Sequence, residues 1–214
     1  GNGGTGLRTI SADFKFKPDF VWEKVRTGTD SFIVYDSVRG FGASKALKSN
    51  SNVAEGENDN STYGYVNSVF NGGIEIYGGS SVAWCWKAGG NKNTFNIDGV
   101  GYASASDAGL SGGTITPTGA SIGTKQGFSI IKWSSGSSTG DFTLSHGLGN
   151  VPRFIIQKQL DIGNWWVYHA DVIDDMKKYM QLNSTNDVAT NSANMWGASA
   201  PTSSVFGVRV GDLI

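Results

Sequence analysis

Three acidic residues lie close together in the stretch from Ala54 to Asn60. Closely spaced carboxylates are what a hydrolytic site or a metal site would require. Glu55, Glu57 and Asp59 stand at alternate positions. Retaining glycoside hydrolysis needs two carboxyl groups about 5–5.5 Å apart, and Ca²⁺ needs several oxygen ligands. The stretch also contains Gly and Asn, which is typical of a turn. We therefore expect solvated carboxylates here, with no catalytic residue and no metal site.

The two histidines and the single cysteine are the other candidates for nucleophilic or metal chemistry. His146 lies in a predicted turn and His169 ends a predicted strand, which is too sparse a set for a zinc site. Cys85 shares one face of a predicted strand with Ala83 and is expected to be a small buried residue. Glycine pairs such as Gly72-Gly73 lack the Lys-Ser/Thr continuation of a phosphate loop. The sequence thus predicts no enzyme and no cofactor.

The elements that would position these side chains occur twice in the chain. Four segments recur in the same order, at offsets of 134, 133, 133 and 136 residues: Pro18–Lys24 as Pro152–Lys158, Phe32–Tyr35 as Trp165–Tyr168, Lys48–Ser51 as Gln181–Ser184, and Ser68–Phe70 as Ser204–Phe206. A nearly constant offset indicates two copies of one module. Matched apolar positions stay β-branched or aromatic, whereas Glu23 becomes Gln157 and Asp36 becomes His169. The pattern favours a duplicated scaffold over a duplicated active site.

Trp165 and Trp166 are the candidate binding residues. They are adjacent on a predicted strand, so their side chains point to opposite faces, and one of them could stack on a sugar ring. Their matched residues, Phe32 and Ile33, are also apolar, which favours a place in the core. The carbohydrate platform remains the alternative.

Composition excludes some classes of function. The net charge is −1, from 17 basic and 18 acidic residues, which argues against nucleic-acid binding. No apolar run approaches the roughly 18 residues of a membrane span, so we expect no membrane insertion. Charged residues make up only 16% of the chain and glycines number 31, a profile of short strands joined by tight turns.

Apolar runs separated by Gly, Asn or Ser predict an all-β protein, an antiparallel β-sandwich of jelly-roll or lectin-like type with two related repeats of about 134 residues. We expect a first repeat at 1–89, a connecting segment at 90–126 and a second repeat at 127–214. The best helical candidate is Asp171–Lys178. The strands Gly127–Trp133 and Val82–Lys87 have no counterparts in the other copy, which predicts a missing strand at each end.

Six runs of the chain have a distinctive sequence: Lys17–Lys24, Tyr35–Gly40, Val82–Gly89, Asn96–Ser104, Gly113–Ser121 and Ser145–Pro152. Together these runs resemble a family of repeat domains in structural proteins of marine bacteriophages that infect cyanobacteria and Pelagibacter-like hosts. The resemblance implies a virion surface protein such as a tail fibre or head-attached fibre, with no catalytic residues to transfer. The copies differ most where the charged run Asp171–Lys178 replaces Ser37–Ala46.

Two classes of function follow from the sequence. The first is a non-enzymatic virion structural protein, a surface-exposed fibre or adhesin module in host attachment, or alternatively a capsid decoration or head-fibre protein. Its expected partners are other virion proteins, copies of itself (a trimer is favoured) and host surface glycans, at an extracellular location. The second is a carbohydrate-binding module or glycan hydrolase on a lectin-like sandwich.

Overall fold

The computed structural model describes residues 6–11, 15–26, 29–56, 65–78 and 80–211, and over this part the chain is all-β. Most strands combine β-branched and aromatic residues, which suit a half-buried pleated surface. A short 3₁₀ helix at Ala43–Lys45 interrupts them. The strands are β1 Leu7–Ser11, β2 Phe20–Val25, β3 Phe32–Asp36, β4 Leu47–Lys48, β5 Tyr65–Phe70, β6 Gly73–Tyr77, β7 Ser81–Trp86, β8 Phe95–Ile97, β9 Val100–Tyr102, β10 Pro117–Gly123, β11 Phe128–Trp133, β12 Gly140–Ser145, β13 Phe154–Lys158, β14 Trp165–His169, β15 Lys178–Gln181, β16 Ala189–Thr190 and β17 Val205–Val210.

The described residues form five sheets, of which two four-stranded sheets carry the recurring segments. Of these two, the first sheet has the order β4-β3-β2-β7, and the second sheet has the order β13-β14-β15-β16. The other three sheets are a four-stranded sheet of order β11-β10-β8-β9, a three-stranded sheet of order β1-β6-β5 and the pair β12-β17. Neighbouring strands are antiparallel except for β8 and β10, which run parallel.

The cross-strand partners of the first sheet recur in the second sheet at positions 133 residues later. The recurring pairs are Ile33 with Lys48 and Trp166 with Gln181, and Val34 with Leu47 and Val167 with Met180. Backbone hydrogen bonds beyond the strands recur as well, because Ser49 N–H donates to Phe32 O at 2.9 Å and Leu182 N–H donates to Trp165 O at 3.0 Å. The two sheets therefore have one register.

Three apolar clusters lie against these sheets. One joins the first sheet to β5 and β6 and includes Val21, Ile33 and Tyr35. Another joins the first sheet to the second sheet, and its members are Val34, Leu47 and Trp165 with the partly buried Phe20, Trp22, Ile156 and Leu160. The third lies on the other face of the second sheet and includes Trp166, Tyr168 and Trp196. Each large sheet thus buries residues on both faces.

The segment 90–126 holds more structure than a connection. It contains β8, β9 and β10, and it has a core of its own that includes Phe95, Leu110 and Ile122. β10 pairs with β11 along its whole length, so hydrogen bonds cross the expected boundary between 126 and 127. The segment also touches β12, because Ile115 forms an isolated bridge with Leu144.

The prediction of a helix at Asp171–Lys178 is wrong. This segment forms turns, and Lys178 begins β15 instead. Nucleating a helix fixes several residues before any hydrogen bond rewards it, so eight residues are too few to be stable without packing. Ile173 and Met176 reach the core cluster of Trp166 from irregular backbone, which satisfies the apolar pattern without a helix.

Candidate functional site

Glu55, one of the acidic residues singled out by the sequence, belongs to a paired cluster. Arg39, whose side chain is 6% exposed, donates from one terminal nitrogen to Glu55 Oε1 at 2.9 Å and from Nε to Asp36 Oδ2. The same guanidinium donates to the carbonyl oxygens of Lys45 and Val34. The expectation that Glu55 is a solvated turn residue is therefore wrong. Glu57 and Asp59 lie outside the described residues.

This cluster is suited to holding a loop in place rather than to hydrolysis. Asp36 also accepts the backbone N–H groups of Val38 and Arg39, at 3.0 Å and 2.9 Å. All four carboxylate oxygens of Asp36 and Glu55 accept hydrogen bonds from this cluster, because Glu55 Oε2 also accepts from Lys45 Nζ at 3.4 Å.

Glu23 is the most unusual ionisable residue among those the structure describes. Its side chain is fully buried, and neither carboxyl oxygen has a hydrogen-bond partner. It lies on β2 opposite Ile33 and Ala83. Burial raises the pKa of Glu23 to about 7. The nearby Ser81 hydroxyl, which is not in hydrogen-bonding geometry, offsets only part of that rise.

The second sheet has an amide where the first has this carboxyl. Gln157 lies on β13 opposite Trp166, in the register that places Glu23 opposite Ile33 on β2. An amide cannot donate an acidic proton, so the two sheets differ in ionisable chemistry at this register position.

His146 and Cys85 are both held in unreactive states. The His146 ring is buried; it accepts Leu148 N–H at Nδ1 (3.2 Å), and its Nε2 lies 3.1 Å from Thr202 O. These contacts fit the neutral tautomer with the proton on Nε2, and burial lowers the pKa of His146. Burial raises the pKa of the Cys85 thiol to about 11, which disfavours the nucleophilic thiolate.

Trp165 and Trp166 do point to opposite faces, and both are buried. Trp165 is 4% exposed and lies between the two sheets, whereas Trp166 is 7% exposed and packs edge-on against Tyr179 at 4.9 Å. Trp165 Nε1 donates to Lys48 O at 2.8 Å and to Ser51 O at 3.1 Å. Neither ring offers a free face to a sugar, so the carbohydrate platform is wrong for these two residues.

The exposed aromatic surface lies on β7 instead. Trp84 is 44% exposed and Trp86 is 38% exposed, while Ala83 and Cys85 face the core on the other side. Phe20 packs edge-on against Trp86 at 5.3 Å, and Phe128 stacks on Trp86 at 6.4 Å. We call Trp84, Trp86, Phe20 and Phe128 the aromatic surface.

Trp84 and Trp86 are not among the binding candidates that the sequence indicates, which are Trp165 and Trp166. The sequence feature that could have identified them is the alternation of side-chain size along this strand, where the small residues Ala83 and Cys85 alternate with the two tryptophans. Small residues fit the crowded side of a strand, and large ones need space. The same alternation that predicted a core position for Cys85 therefore also indicated solvent exposure for its neighbours.

The profile of a family described as "Domain of unknown function (DUF7483)" matches residues 1–213. The chain belongs to the DUF7483 family. Neither the curated proteins nor the solved structures contain a significant match.

Two general features of this DUF7483 chain bear on its chemistry. Over the described ranges, no group of three or more His, Cys, Asp and Glu side chains lies close enough to hold a metal ion. Within the same ranges, no helix is long and apolar enough to cross a membrane.

Proposed function

We propose that this DUF7483 chain is a non-enzymatic structural module of a phage virion surface, of the fibre or adhesin type. In this proposal the chain is a β-sandwich built from two copies of one unit, with 90–126 between them. The observation that carries it is that backbone register and apolar core recur between the halves while ionisable side chains do not. A scaffold needs only the former.

The recurring part extends into the cores. Val21, Ile33 and Tyr35 of the first half correspond to Ile155, Trp166 and Tyr168 of the second, and each set lies in a core cluster beside its sheet. The first sheet also faces the second sheet across the cluster of Val34, Leu47 and Trp165. Sheets packed face to face across apolar side chains are the defining feature of a sandwich.

The non-recurring part is the charge. Buried Asp19 accepts the N–H groups of Ala88 and Gly90, whereas its counterpart Arg153 is exposed and pairs with Asp171. Asp36 and His169, and Glu23 and Gln157, differ in the same way. If each half carried the same active site, both halves would need the same ionisable side chains at these positions.

Strand pairing supports the repeat and revises one sequence match. β1 pairs with β6 and β12 pairs with β17, with Ser11 opposite Gly73 and Ser145 opposite Val205. β17 thus corresponds to β6, at an offset of 132 residues. The sequence had matched Ser204–Phe206 to Ser68–Phe70, which lies in β5.

The proposed location on the virion surface rests on the resemblance to marine phage structural proteins. A virion surface module with few charges and many short, tightly turned strands resists proteolysis and presents its surface outward. Self-association, with a trimer favoured, multiplies weak contacts with host glycans or with other virion proteins into avidity. Position on a tail fibre or as a capsid decoration fits the same features.

A second candidate, a carbohydrate-binding module, is favoured by the aromatic surface. Trp rings exposed at alternate positions of one strand present flat apolar faces, which suit the apolar faces of sugar rings. In this alternative, Trp84→Ala and Trp86→Ala abolish retention on a glycan array, while Trp165→Phe leaves retention unchanged. Equal retention of all three variants would remove the aromatic surface as the sugar site.

Incubation with a broad glycan panel, followed by product analysis, separates a binding module from a hydrolase. The proposal expects no new reducing ends over long incubation at pH 5 to 8. Reproducible cleavage that is lost in Glu23→Gln or Glu55→Gln would overturn it. Cleavage that persists in both variants and survives repurification would overturn it as well.

A further inference from the structure

The outer side of β13 has no strand beside it among the described residues. The second sheet has the order β13-β14-β15-β16, so β13 forms its edge. In the first sheet the corresponding strand, β2, lies inside the sheet, with β3 on one side and β7 on the other. The two strands therefore differ by one neighbour, and among the described residues β7 has no counterpart in the second sheet.

The backbone groups at this edge point outward in a known pattern. Ala170 N–H donates to Arg153 O at 2.8 Å, and in an antiparallel ladder such hydrogen-bonded pairs alternate. Ile155 and Gln157 therefore direct their N–H and C=O groups to β14. Phe154 and Ile156 direct theirs to the open side, as Phe20 and Trp22 direct theirs to β7.

Several side chains on β13 are more exposed than their counterparts on β2, which lie beside β7. Val21 and Glu23, which β7 covers in the first sheet, are both fully buried. Their counterparts Ile155 and Gln157 are only partly buried, and Phe154 is 56% exposed. An edge with unpaired backbone groups and exposed apolar side chains is a template for another strand.

We propose that β13 is a docking site for an extended strand donated by another polypeptide, running antiparallel to β13 and alternating small with aromatic residues as β7 does. This inference rests on the proposed two-copy architecture. The pairing of β2 with β7 sets Trp22 opposite Trp84 and Glu23 opposite Ala83. If a guest strand pairs with β13 in the same register, Ile156 lies opposite the guest residue equivalent to Trp84, and Gln157 lies opposite the guest residue equivalent to Ala83.

The alternation of the guest strand follows from what lies beneath it. Ile155 packs in the apolar clusters of Trp166 and of Leu144, so the guest residues beside Ile155 and Gln157 must be small, as Ala83 and Cys85 are. The guest residues beside Phe154 and Ile156 face the more open side, where aromatic rings fit. Main-chain hydrogen bonds supply affinity and this alternation supplies selectivity, as in other strand-addition complexes.

A synthetic peptide with the sequence of residues 80–87 provides the guest, and the full chain with Cys85→Ser and Gln157→Cys provides the host. Peptides carry a single cysteine at position 82, 83 or 84, with Cys85 replaced by serine. Each peptide thiol is first converted to its thionitrobenzoate disulfide, so that the host thiolate attacks it and releases the thionitrobenzoate thiolate. The position-83 peptide should form the mixed disulfide roughly tenfold faster than the other two, because a one-residue shift moves the sulfur to the opposite face. A host with Phe32→Cys, an exposed site on β3 with strands on both sides, is the matched control and should show no preference among peptides.

Backbone methylation gives a second measurement that leaves side chains intact. N-methylation at Trp84 removes a donor that faces β13, whereas N-methylation at Ala83 alters an N–H that faces away. Binding, followed by fluorescence anisotropy of a labelled peptide, should be lost in the first peptide and kept in the second.

Equal crosslinking rates for the three cysteine peptides, or equal loss of binding for the two methylated peptides, would overturn the proposed docking site on β13. So would binding that requires the release of β7 from β2, detected as new exchange of the β7 amides. These outcomes leave the non-enzymatic assignment intact, since product analysis on glycans tests that separately.

Discussion

Glu23 and Gln157 occupy one register position in two sheets, the first as a buried carboxyl opposite Ile33 and the second as an amide opposite Trp166. The amide is close in shape to the protonated acid. Because burial raises the pKa of Glu23 to about 7, the first half keeps a neutral group at this position only under mildly acidic conditions. The free energy of unfolding therefore depends on pH through the buried Glu23 carboxyl.

The first prediction concerns that dependence. The folded-state pKa of Glu23 lies above its ordinary value of 4.5, so its contribution to stability is fully present below pH 4.5 and is lost as pH rises through about 7. Glu23→Gln should remove this slope and raise the free energy of unfolding at pH 8 by about 3 kcal/mol relative to wild type. Urea unfolding at pH 5 and pH 8 measures it.

The reciprocal substitution Gln157→Glu is the control for Glu23→Gln. Since Gln157 is only partly buried, the new carboxyl should add a smaller pH dependence than Glu23 does. Equal pH slopes for wild type and Glu23→Gln would show that Glu23 is solvated in the folded protein.

The second prediction concerns the join between the two large sheets. Trp165→Phe removes the donor to Lys48 O and Ser51 O and should lower the free energy of unfolding by about 0.5–1.5 kcal/mol, because each carbonyl loses one hydrogen bond while Lys48 O keeps the Ser51 N–H. Trp165→Ala should cost about 3–5 kcal/mol, since a cavity is added. Thermal and urea unfolding measure both. Trp84→Phe at an exposed site is the comparison, and a larger loss there than at Trp165 would contradict the packing described.

The third prediction concerns Asp19, which ties β2 to the segment after β7. Its carboxylate accepts Ala88 N–H at 2.7 Å and Ser37 Oγ–H at 2.9 Å. Asp19→Ala should lower the free energy of unfolding by about 3 kcal/mol, because charged hydrogen bonds are lost and buried donors stay unpaired. Amide exchange at Ala88 and Gly90 should rise in this variant. Unchanged exchange at those two amides would count against the role assigned to Asp19.

The fourth prediction concerns Cys85. Because burial raises its thiol pKa to about 11, the folded chain should react with a disulfide reagent at pH 8 far more slowly than the urea-unfolded chain does. A spectrophotometric thiol assay measures the two rates. Similar rates in both states would mean that β7 leaves the sheet readily.

Most of the strands could be predicted because each combines apolar alternation with Gly, Asn or Ser boundaries. β14 was predicted with its observed bounds, and β2 extends one residue less than expected. β10 was missed because Pro117–Gly123 contains Pro, Gly, Ala and Ser, which have little strand propensity. Its burial comes from β8 and β11 on either side, and that tertiary context has no local signal.

The candidate site was predicted less well, for a related reason. Alternation shows which residues share a face, but it does not show which face a neighbouring sheet covers. Trp165 and Trp84 both stand on strands with apolar neighbours; the second sheet packs against the first through Trp165 and leaves Trp84 exposed. Glu55 looked like a free turn residue because its partner Arg39 lies 16 residues away along the chain.

The central proposal is that the chain lies on the surface of a virion. Intact particles of a phage that encodes it, treated with a lysine reagent too large to enter the capsid and then digested, test this claim by mass spectrometry. The account predicts that the chain is recovered with the particles and is modified at the exposed residues Lys92 and Lys125. Recovery only from the soluble fraction, or from particles with both lysines unmodified, would contradict it.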